Sequence, residues 1–142
     1  MFQTISSTLA IGSVTEANAL QEIAQTGYKT VIDLCPPAEG NQLDASKVQE
    51  LGLEYVSVPI SLKNLTVESL EAFQKAVKTS TQPIYTRCAS GLRAGVFSLL
   101  ILAEQKGWTE AQYLEQFKTL GIEQKPNCPL ANFAHTYFEQ KV

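Results

Sequence analysis

The sequence predicts an α/β fold built on a largely parallel sheet, and two observations support that prediction. Short apolar or β-branched runs alternate with segments of helical periodicity along most of the chain. Two of these runs are followed directly by cysteines, Cys35 and Cys88, each at the start of a loop. Because ligands bind beyond the carboxyl ends of parallel strands, we expect loops 35–44, 60–65 and 88–93 on one rim of the sheet.

The amino-terminal half of the chain alternates strand and helix signals. Odd-numbered apolar residues, β-branched runs and alternating runs favour strands, while apolar stripes behind capping residues favour helices. In chain order the predicted segments are one or two edge strands within 2–11, a helix capped by Thr15 and ending at Gly27, a strand at 29–34, a helix at 45–51 capped by Asp44, and a strand at 53–59.

The carboxyl-terminal half is predicted to be mostly helical around one buried strand. The segments are a helix capped by Thr66 and running to about Lys78, a strand at 83–87, a helix from about Ala94, a helix opened by a capping box of Thr109 and Gln112, and a last helix from about Leu130 to Gln140 behind Pro126–Pro129. No repeat or linker interrupts this pattern, so residues 1–142 are expected to form a single domain.

The stretch from Cys88 to Arg93 has the composition of an anion-binding loop between a strand and a helix. Small residues allow the backbone to curl so that successive N–H groups point inward, toward the positive end of the following helix. The residues assigned to this loop, beside the catalytic candidates Cys88 and Arg93, are Arg87, Ala89, Ser90, Gly91 and Leu92. The sequence therefore places a cysteine inside an anion-binding loop.

Both arginines of the chain lie within five residues of Cys88. They are Arg87 and Arg93, whereas the lysines are scattered along the sequence. Arginine offers a planar fork of donors that matches the oxygens of an anion, and neighbouring positive charge favours the thiolate, which is the nucleophilic form of cysteine. This placement predicts a thiolate that attacks a small anionic substrate.

The composition limits the classes of partner and the cellular compartment that fit this chain. The net charge of −3 argues against a nucleic-acid partner or an anionic membrane surface. The three cysteines form no C-x-x-C pair, which favours a reducing compartment over a disulfide framework or a metal site, and no cofactor is implied. No signal peptide or membrane-spanning run is visible, so a cytoplasmic location is expected. The sequence leaves the oligomeric state open.

Four motifs, in order and spacing, resemble a known family. They are Leu9–Ser13, Val31–Leu34, Val58–Ile60 and the loop from Cys88 to Arg93. Together they resemble the phosphatase-like domain of bacterial beta-lactamase-hydrolase-like proteins, which is similar to dual-specificity tyrosine phosphatases. The resemblance implies a central sheet of four or five strands with helices on both faces, Cys88 as the nucleophile and Arg93 as the oxyanion-binding arginine.

Two departures from the dual-specificity pattern bear on the reaction. The arginine comes five residues after the cysteine instead of six, and such a shorter loop resembles that of rhodanese sulfurtransferases. The segment 61–64, which matches the loop that carries the general acid in these phosphatases, has no Asp or Glu. Asp33 lies within a strand and is expected to be a structural carboxylate. Sulfur transfer needs no such acid when the leaving group is sulfite or a stabilised thiolate.

These departures favour a sulfurtransferase that carries a persulfide on Cys88. The alternative is a protein-tyrosine or dual-specificity-like phosphatase, and a third hypothesis is a non-catalytic anion-binding or redox-sensing module. Cys35 resembles the resolving thiol of tensin-type relatives, which would form a disulfide with an oxidised Cys88. It is otherwise a small apolar residue that closes its strand ahead of Pro36.

Overall fold

The centre of the protein is a five-stranded sheet, seen in a computed structural model that describes residues 1–124 and 128–140. The strands are β1 (Phe2–Thr4), β2 (Leu9–Gly12), β3 (Thr30–Asp33), β4 (Glu54–Ser57) and β5 (Ile84–Arg87). Their order is β1-β2-β5-β3-β4, with β1 antiparallel to β2 and the other neighbours parallel. The prediction of a largely parallel sheet of four or five strands is confirmed.

Helices cover both faces of the sheet, as predicted. They are α1 (Ala17–Gln25), α2 (Ala45–Glu50), α3 (Val67–Thr79), α4 (Leu92–Lys106), α5 (Glu110–Thr119) and α6 (Pro129–Gln140). α1 and α2 bury Leu20 and Val48 against one face, beside Val31 of β3. The other four helices pack on the opposite face, where α3 and α4 bring Phe73 and Phe97 into edge-to-face contact. Burial of both faces explains the near-continuous apolar character of the parallel strands.

Local capping signals in the sequence correspond to real helix starts. The side chain of Asp44 accepts hydrogen bonds from the backbone N–H groups of Ser46 and Lys47, and that of Thr66 accepts one from Ser69. The capping box that opens α5 at Thr109 is present on both sides. These bonds satisfy N–H groups that a helix start otherwise leaves without partners.

Two predicted helix boundaries and one predicted strand position were wrong in detail. α1 has its N-cap at Glu16 instead of Thr15, and α4 begins at Leu92 instead of Ala94, so the helix already includes Arg93. β2 is an interior strand, because it pairs with β1 on one side and β5 on the other. The segment predicted to precede the last helix begins at Pro126, which lies outside the described residues.

A buried ion pair joins the two central strands at their carboxyl ends. β3 and β5 pair in a register that puts Asp33 beside Arg87, and Arg87 Nη1 lies 3.0 Å from Asp33 Oδ1. Both side chains are almost fully buried, with exposed fractions of 0% and 1%. A charge removed from water in this way depends on its partner, because leaving either one unpaired costs far more than the pair contributes. This pair fixes the end of the sheet from which the functional loops leave.

Replacing Asp33 with asparagine should lower the free energy of unfolding by about 3–5 kcal/mol, since Arg87 then stays charged and buried without its counterion. Urea unfolding measures this change. The matched control is Tyr55→Phe, which removes one hydrogen bond from the same carboxylate and should cost only about 1–2 kcal/mol. Equal, small losses in the two variants would show that the ion pair does not hold the centre of the sheet.

Candidate active site

Cys88 lies directly after β5, at the point where the chain turns into α4. Its side chain is fully buried, and its Sγ atom accepts hydrogen bonds from the backbone N–H groups of Gly91 at 3.1 Å and Ala94 at 3.5 Å. Gly91 is the N-cap of α4 and has a left-handed backbone with φ of 88°, a conformation that glycine adopts at little cost. The loop thus curls around the sulfur and directs N–H donors at the N-terminus of α4 toward it.

Arg93 is the second predicted catalytic residue, and the structure holds it tightly. Nη1 donates to Glu39 Oε2 at 2.7 Å and to the carbonyl oxygen of Ile60 at 2.9 Å, while Nη2 donates to Glu39 Oε1 at 2.8 Å. The exposed fraction of the arginine side chain is 6%, against 32% for the glutamate. Loops 35–44, 60–65 and 88–93 therefore meet at one rim, as their positions after the strands predict.

Glu39 is an ionised partner in this site. The hydrogen bonds from Arg93 hold the pKa of its carboxyl below the usual range. The residue ends a short 3₁₀ turn at Pro37–Glu39, followed by Gly40 in the left-handed conformation. A carboxylate that is held as an anion accepts hydrogen bonds but has no proton to donate at neutral pH. Glu39 therefore supports Arg93 and is unsuited to protonate a leaving group.

Arg87, predicted to belong to the anion-binding loop, is directed away from it. Its Nη1 atom donates to Asp33 and to the carbonyl oxygen of Asn41 at 2.8 Å, and its Nη2 atom lies 3.4 Å from the carbonyl oxygen of Cys88. Consecutive residues of a strand point to opposite faces, so Arg87 and Cys88 cannot face the same side of the sheet. The Arg87 side chain therefore lies against Asp33 and Asn41 and is directed away from the anion-binding loop.

Asp33 is a structural carboxylate, as expected from its place in the strand. Oδ1 accepts hydrogen bonds from Arg87 and from the N–H of Cys35, and Oδ2 accepts from the N–H of Leu43 at 2.9 Å and from the hydroxyl of Tyr55 at 2.8 Å. Burial and the hydrogen bond to Asp33 raise the pKa of the Tyr55 hydroxyl, which therefore remains a donor. All four partners give hydrogens to Asp33, which leaves it without a role as a proton donor.

The other predicted residues of the loop take different positions. Ala89 and Ser90 are exposed, Leu92 is half-buried, and the Ser90 hydroxyl accepts a hydrogen bond from the N–H of Leu92 at 3.3 Å. Cys35 is fully buried and belongs to the same apolar cluster as Cys88. Burial raises the pKa of its thiol; among the smaller effects, Arg87 and Arg93 lower the pKa, while Asp33 and Cys88 raise it. Both thiols are free.

The described residues contain neither a metal-binding cluster nor a membrane-spanning helix. Within 1–124 and 128–140 there is no group of three His, Cys, Asp or Glu side chains placed to hold a metal ion. The helices among these residues are all too short or too polar to cross a bilayer.

Two residues of the site were not singled out from the sequence. Glu39 and Tyr55 make contacts that depend on elements far apart in the chain. One signal for Glu39 was available, since it is a carboxylate in a loop predicted to share a rim with Arg93. Tyr55 carried no comparable signal, because an aromatic residue in a strand is most often a packing residue.

The family follows from residues 1–104, which match the family model described as "Beta-lactamase hydrolase-like protein, phosphatase-like domain". The chain belongs to this family. Beta-lactamase hydrolase-like protein of Xylella fastidiosa is 30% identical over 95 residues, which are 63% of this chain and 22% of that protein. The protein of the same name from Agrobacterium fabrum is 28% identical over 108 residues, 71% of this chain and 25% of its own length. The chain thus spans about a quarter of these relatives.

Solved phosphatase structures share the fold. The core catalytic domain of PP-IP phosphatase SIW14 from S. cerevisiae, in complex with citrate, superposes with a TM-score of 0.75 at 16% identity and covers 99% of this chain and 86% of its own. P. aeruginosa TpbA in complex with pTyr gives a TM-score of 0.73 at 16% identity, with coverages of 94% and 82%. At these identities the likeness concerns the fold alone.

The family model confirms the family predicted from the four motifs and with it the prediction of an enzyme of the phosphatase-like class. The solved structures confirm the predicted fold. These comparisons do not support the preference for a sulfurtransferase or the analogy with a rhodanese loop. The matching family model describes a phosphatase-like domain, which favours the phosphatase hypothesis stated as the alternative.

Proposed function

We propose that the chain hydrolyses small phosphoesters through a covalent intermediate on Cys88. The observation that supports this proposal is the position of Cys88 Sγ, which accepts N–H hydrogen bonds at the start of α4, and the first turn of that helix includes Arg93. A thiolate surrounded by fixed donors can attack phosphorus while the donors bind the oxygens that gain charge in the transition state.

The proposed reaction has two steps. The Cys88 thiolate attacks phosphorus, an S–P bond forms, and the bond from phosphorus to the ester oxygen breaks with its electron pair on the leaving oxygen. A water molecule then attacks phosphorus, the S–P bond breaks with its pair returned to sulfur, and inorganic phosphate departs with the proton balance completed by solvent. The loop N–H groups and Arg93 hold the phosphoryl oxygens in both steps.

The carboxylates described at this rim are all unsuited to protonate the leaving oxygen. Glu39 is held as an anion by Arg93, Asp33 accepts four hydrogen bonds, and Asp44 caps α2. Segment 61–64 has neither Asp nor Glu. Substrates whose leaving group is stable as an anion, such as aryl phosphates, therefore suit this site better than alkyl phosphates.

Sulfur transfer is a second candidate, and one observation favours it. The loop from Cys88 to Arg93 has one residue fewer than the dual-specificity pattern, and a smaller ring of donors suits a compact group. In this reaction the Cys88 thiolate attacks the outer sulfur of thiosulfate, sulfite leaves with the electron pair, and cyanide removes the sulfur as thiocyanate. This reaction requires no general acid.

A side-by-side assay separates the two reactions. The purified protein is given an aryl phosphate, an alkyl phosphate, or thiosulfate with cyanide, and released phosphate and thiocyanate are measured. We expect hydrolysis of the aryl ester to exceed that of the alkyl ester by about 10²–10⁴-fold, the usual contribution of a general acid. Cys88→Ser should abolish turnover and the control Cys128→Ser should keep it. Thiocyanate formation without phosphate release would instead establish sulfur transfer.

We also propose that Cys35 is the resolving thiol of Cys88. Its strand neighbours β5 in parallel register, both cysteines follow their strands, and both are buried in one cluster. Hydrogen peroxide would oxidise the Cys88 thiolate to a sulfenic acid and be reduced to water. The Cys35 sulfur would then attack that sulfur, forming the S–S bond with loss of a second water.

Peroxide treatment followed by non-reducing peptide mapping tests this pairing. A crosslink between Cys35 and Cys88 that a thiol reductant reverses, with activity restored, is the expected result. In Cys35→Ser the nucleophile should proceed irreversibly to sulfinic acid, whereas Cys128→Ser should behave as the unmodified chain does. Sulfinic acid on Cys88 beside a free Cys35 in the unmodified chain would disprove the resolving role.

A further inference from the structure

We propose that Glu39 is a positioning residue, which orients Arg93 so that one edge of its guanidinium faces the anion bound over Cys88. This inference rests on the anion-binding role given to Arg93 in the proposed function. It adds a residue that the family assignment does not supply, and it gives the loop 35–43 a part in recognition.

The described residues use only some of the N–H donors of Arg93. A guanidinium has five N–H groups, arranged along three edges of a plane. Glu39 takes the edge formed by Nη1 and Nη2 in a bidentate pair, and the carbonyl oxygen of Ile60 takes the other hydrogen of Nη1. Among the described residues, none accepts from Nε or from the second hydrogen of Nη2. The edge that remains is a two-donor fork, which suits two oxygens of one anion.

Glu39 lies in a loop that hydrogen bonds anchor at several points. Both ends of its loop are tied to the same carboxylate, since Asp33 accepts from the N–H of Cys35 at 3.1 Å and from the N–H of Leu43 at 2.9 Å. Arg87 binds the carbonyl oxygen of Asn41 between them. A loop held at three points by a buried ion pair has little freedom to drift. Glu39 is therefore presented by the sheet itself, through strands β3 and β5.

Glu39 affects a bound anion in two opposite ways, through the orientation of Arg93 and through its own negative charge. A negative Glu39 also repels an anion, and this effect opposes binding. Its carboxylate is one-third exposed, so water screens that repulsion, whereas the bidentate bond to the buried Arg93 acts at contact distance. Without Glu39, the arginine side chain keeps a single carbonyl contact and regains the rotamers of a long, flexible chain. We therefore expect orientation to dominate, so that loss of Glu39 weakens anion binding.

The experiment titrates sulfate into the ¹⁵N-labelled protein and follows the Arg93 Nε–H and loop amide signals by NMR. Variants are Glu39→Gln, Arg93→Ala, the double variant, and Glu71→Gln, which removes the same charge from an exposed position on α3. Glu39→Gln should weaken sulfate binding about tenfold and leave the Arg93 Nε–H signal unresponsive to sulfate. Glu71→Gln should change neither. In the Arg93→Ala background, adding Glu39→Gln should have no further effect, because the glutamate acts through the arginine.

The outcomes separate this inference from the proposed function. If Arg93→Ala binds sulfate as well as the unmodified chain, the anion-binding role of Arg93 is wrong and the proposed function fails with it. If Arg93→Ala loses binding while Glu39→Gln keeps it or binds more tightly, only the positioning role is overturned, and tighter binding would identify Glu39 as a competitor of the anion. An equal loss from Glu39→Gln with and without Arg93 would show a merely structural effect. Thermal unfolding of each variant confirms that the comparison is made between folded proteins.

Discussion

The site depends on one buried carboxylate. Asp33 ends the central strand β3 and gathers donors from four parts of the chain: its own following loop at Cys35, the far end of that loop at Leu43, the hydroxyl of Tyr55 on β4, and Arg87 on β5. Burying a charge is costly, and these hydrogen bonds are what offset the cost. Three strand ends are thereby brought to fixed positions around a single group.

Function follows from what leaves those strand ends on the opposite face. Cys88 follows Arg87 directly and begins a loop in which the N–H of Gly91 points at the cysteine sulfur. The next helix, α4, begins at Leu92 with its positive end toward the same atom. The loop after β3 places Glu39 against Arg93, which lies in the first turn of α4. The Asp33–Arg87 ion pair therefore fixes the strand ends from which the site is built, and the Glu39–Arg93 ion pair joins the loop after β3 to the start of α4.

Local signals in the sequence were sufficient for much of this architecture. The caps at Asp44, Thr66 and Thr109 involve neighbours within three residues, and the alternation of apolar runs depends on nearby positions only. The small residues after Cys88 predicted the loop, and the order of the strand ends predicted the shared rim. These features were predictable because the residues that cause them are adjacent in the chain.

The partners of the charged residues could not be predicted in the same way. Asp33 and Arg87 are separated by 54 positions and are paired by the register of β3 on β5, while Glu39 and Arg93, also 54 positions apart, meet through the segments that follow those strands. Register between strands that are distant in sequence is decided by packing on both faces of the sheet, and no local pattern records it. For that reason Arg87 was assigned to the anion loop although its side chain lies on the other face, and Glu39 was overlooked.

The central claim is that Cys88 becomes covalently bonded to the group it transfers. The direct measurement is rapid acid quenching of the protein during turnover of an aryl phosphate, followed by mass spectrometry of the peptide that contains Cys88. The account predicts a phosphoryl group on the Cys88 sulfur that forms within the first turnover and disappears when substrate is exhausted. Continued phosphate release with Cys88 unmodified at every time point would contradict it.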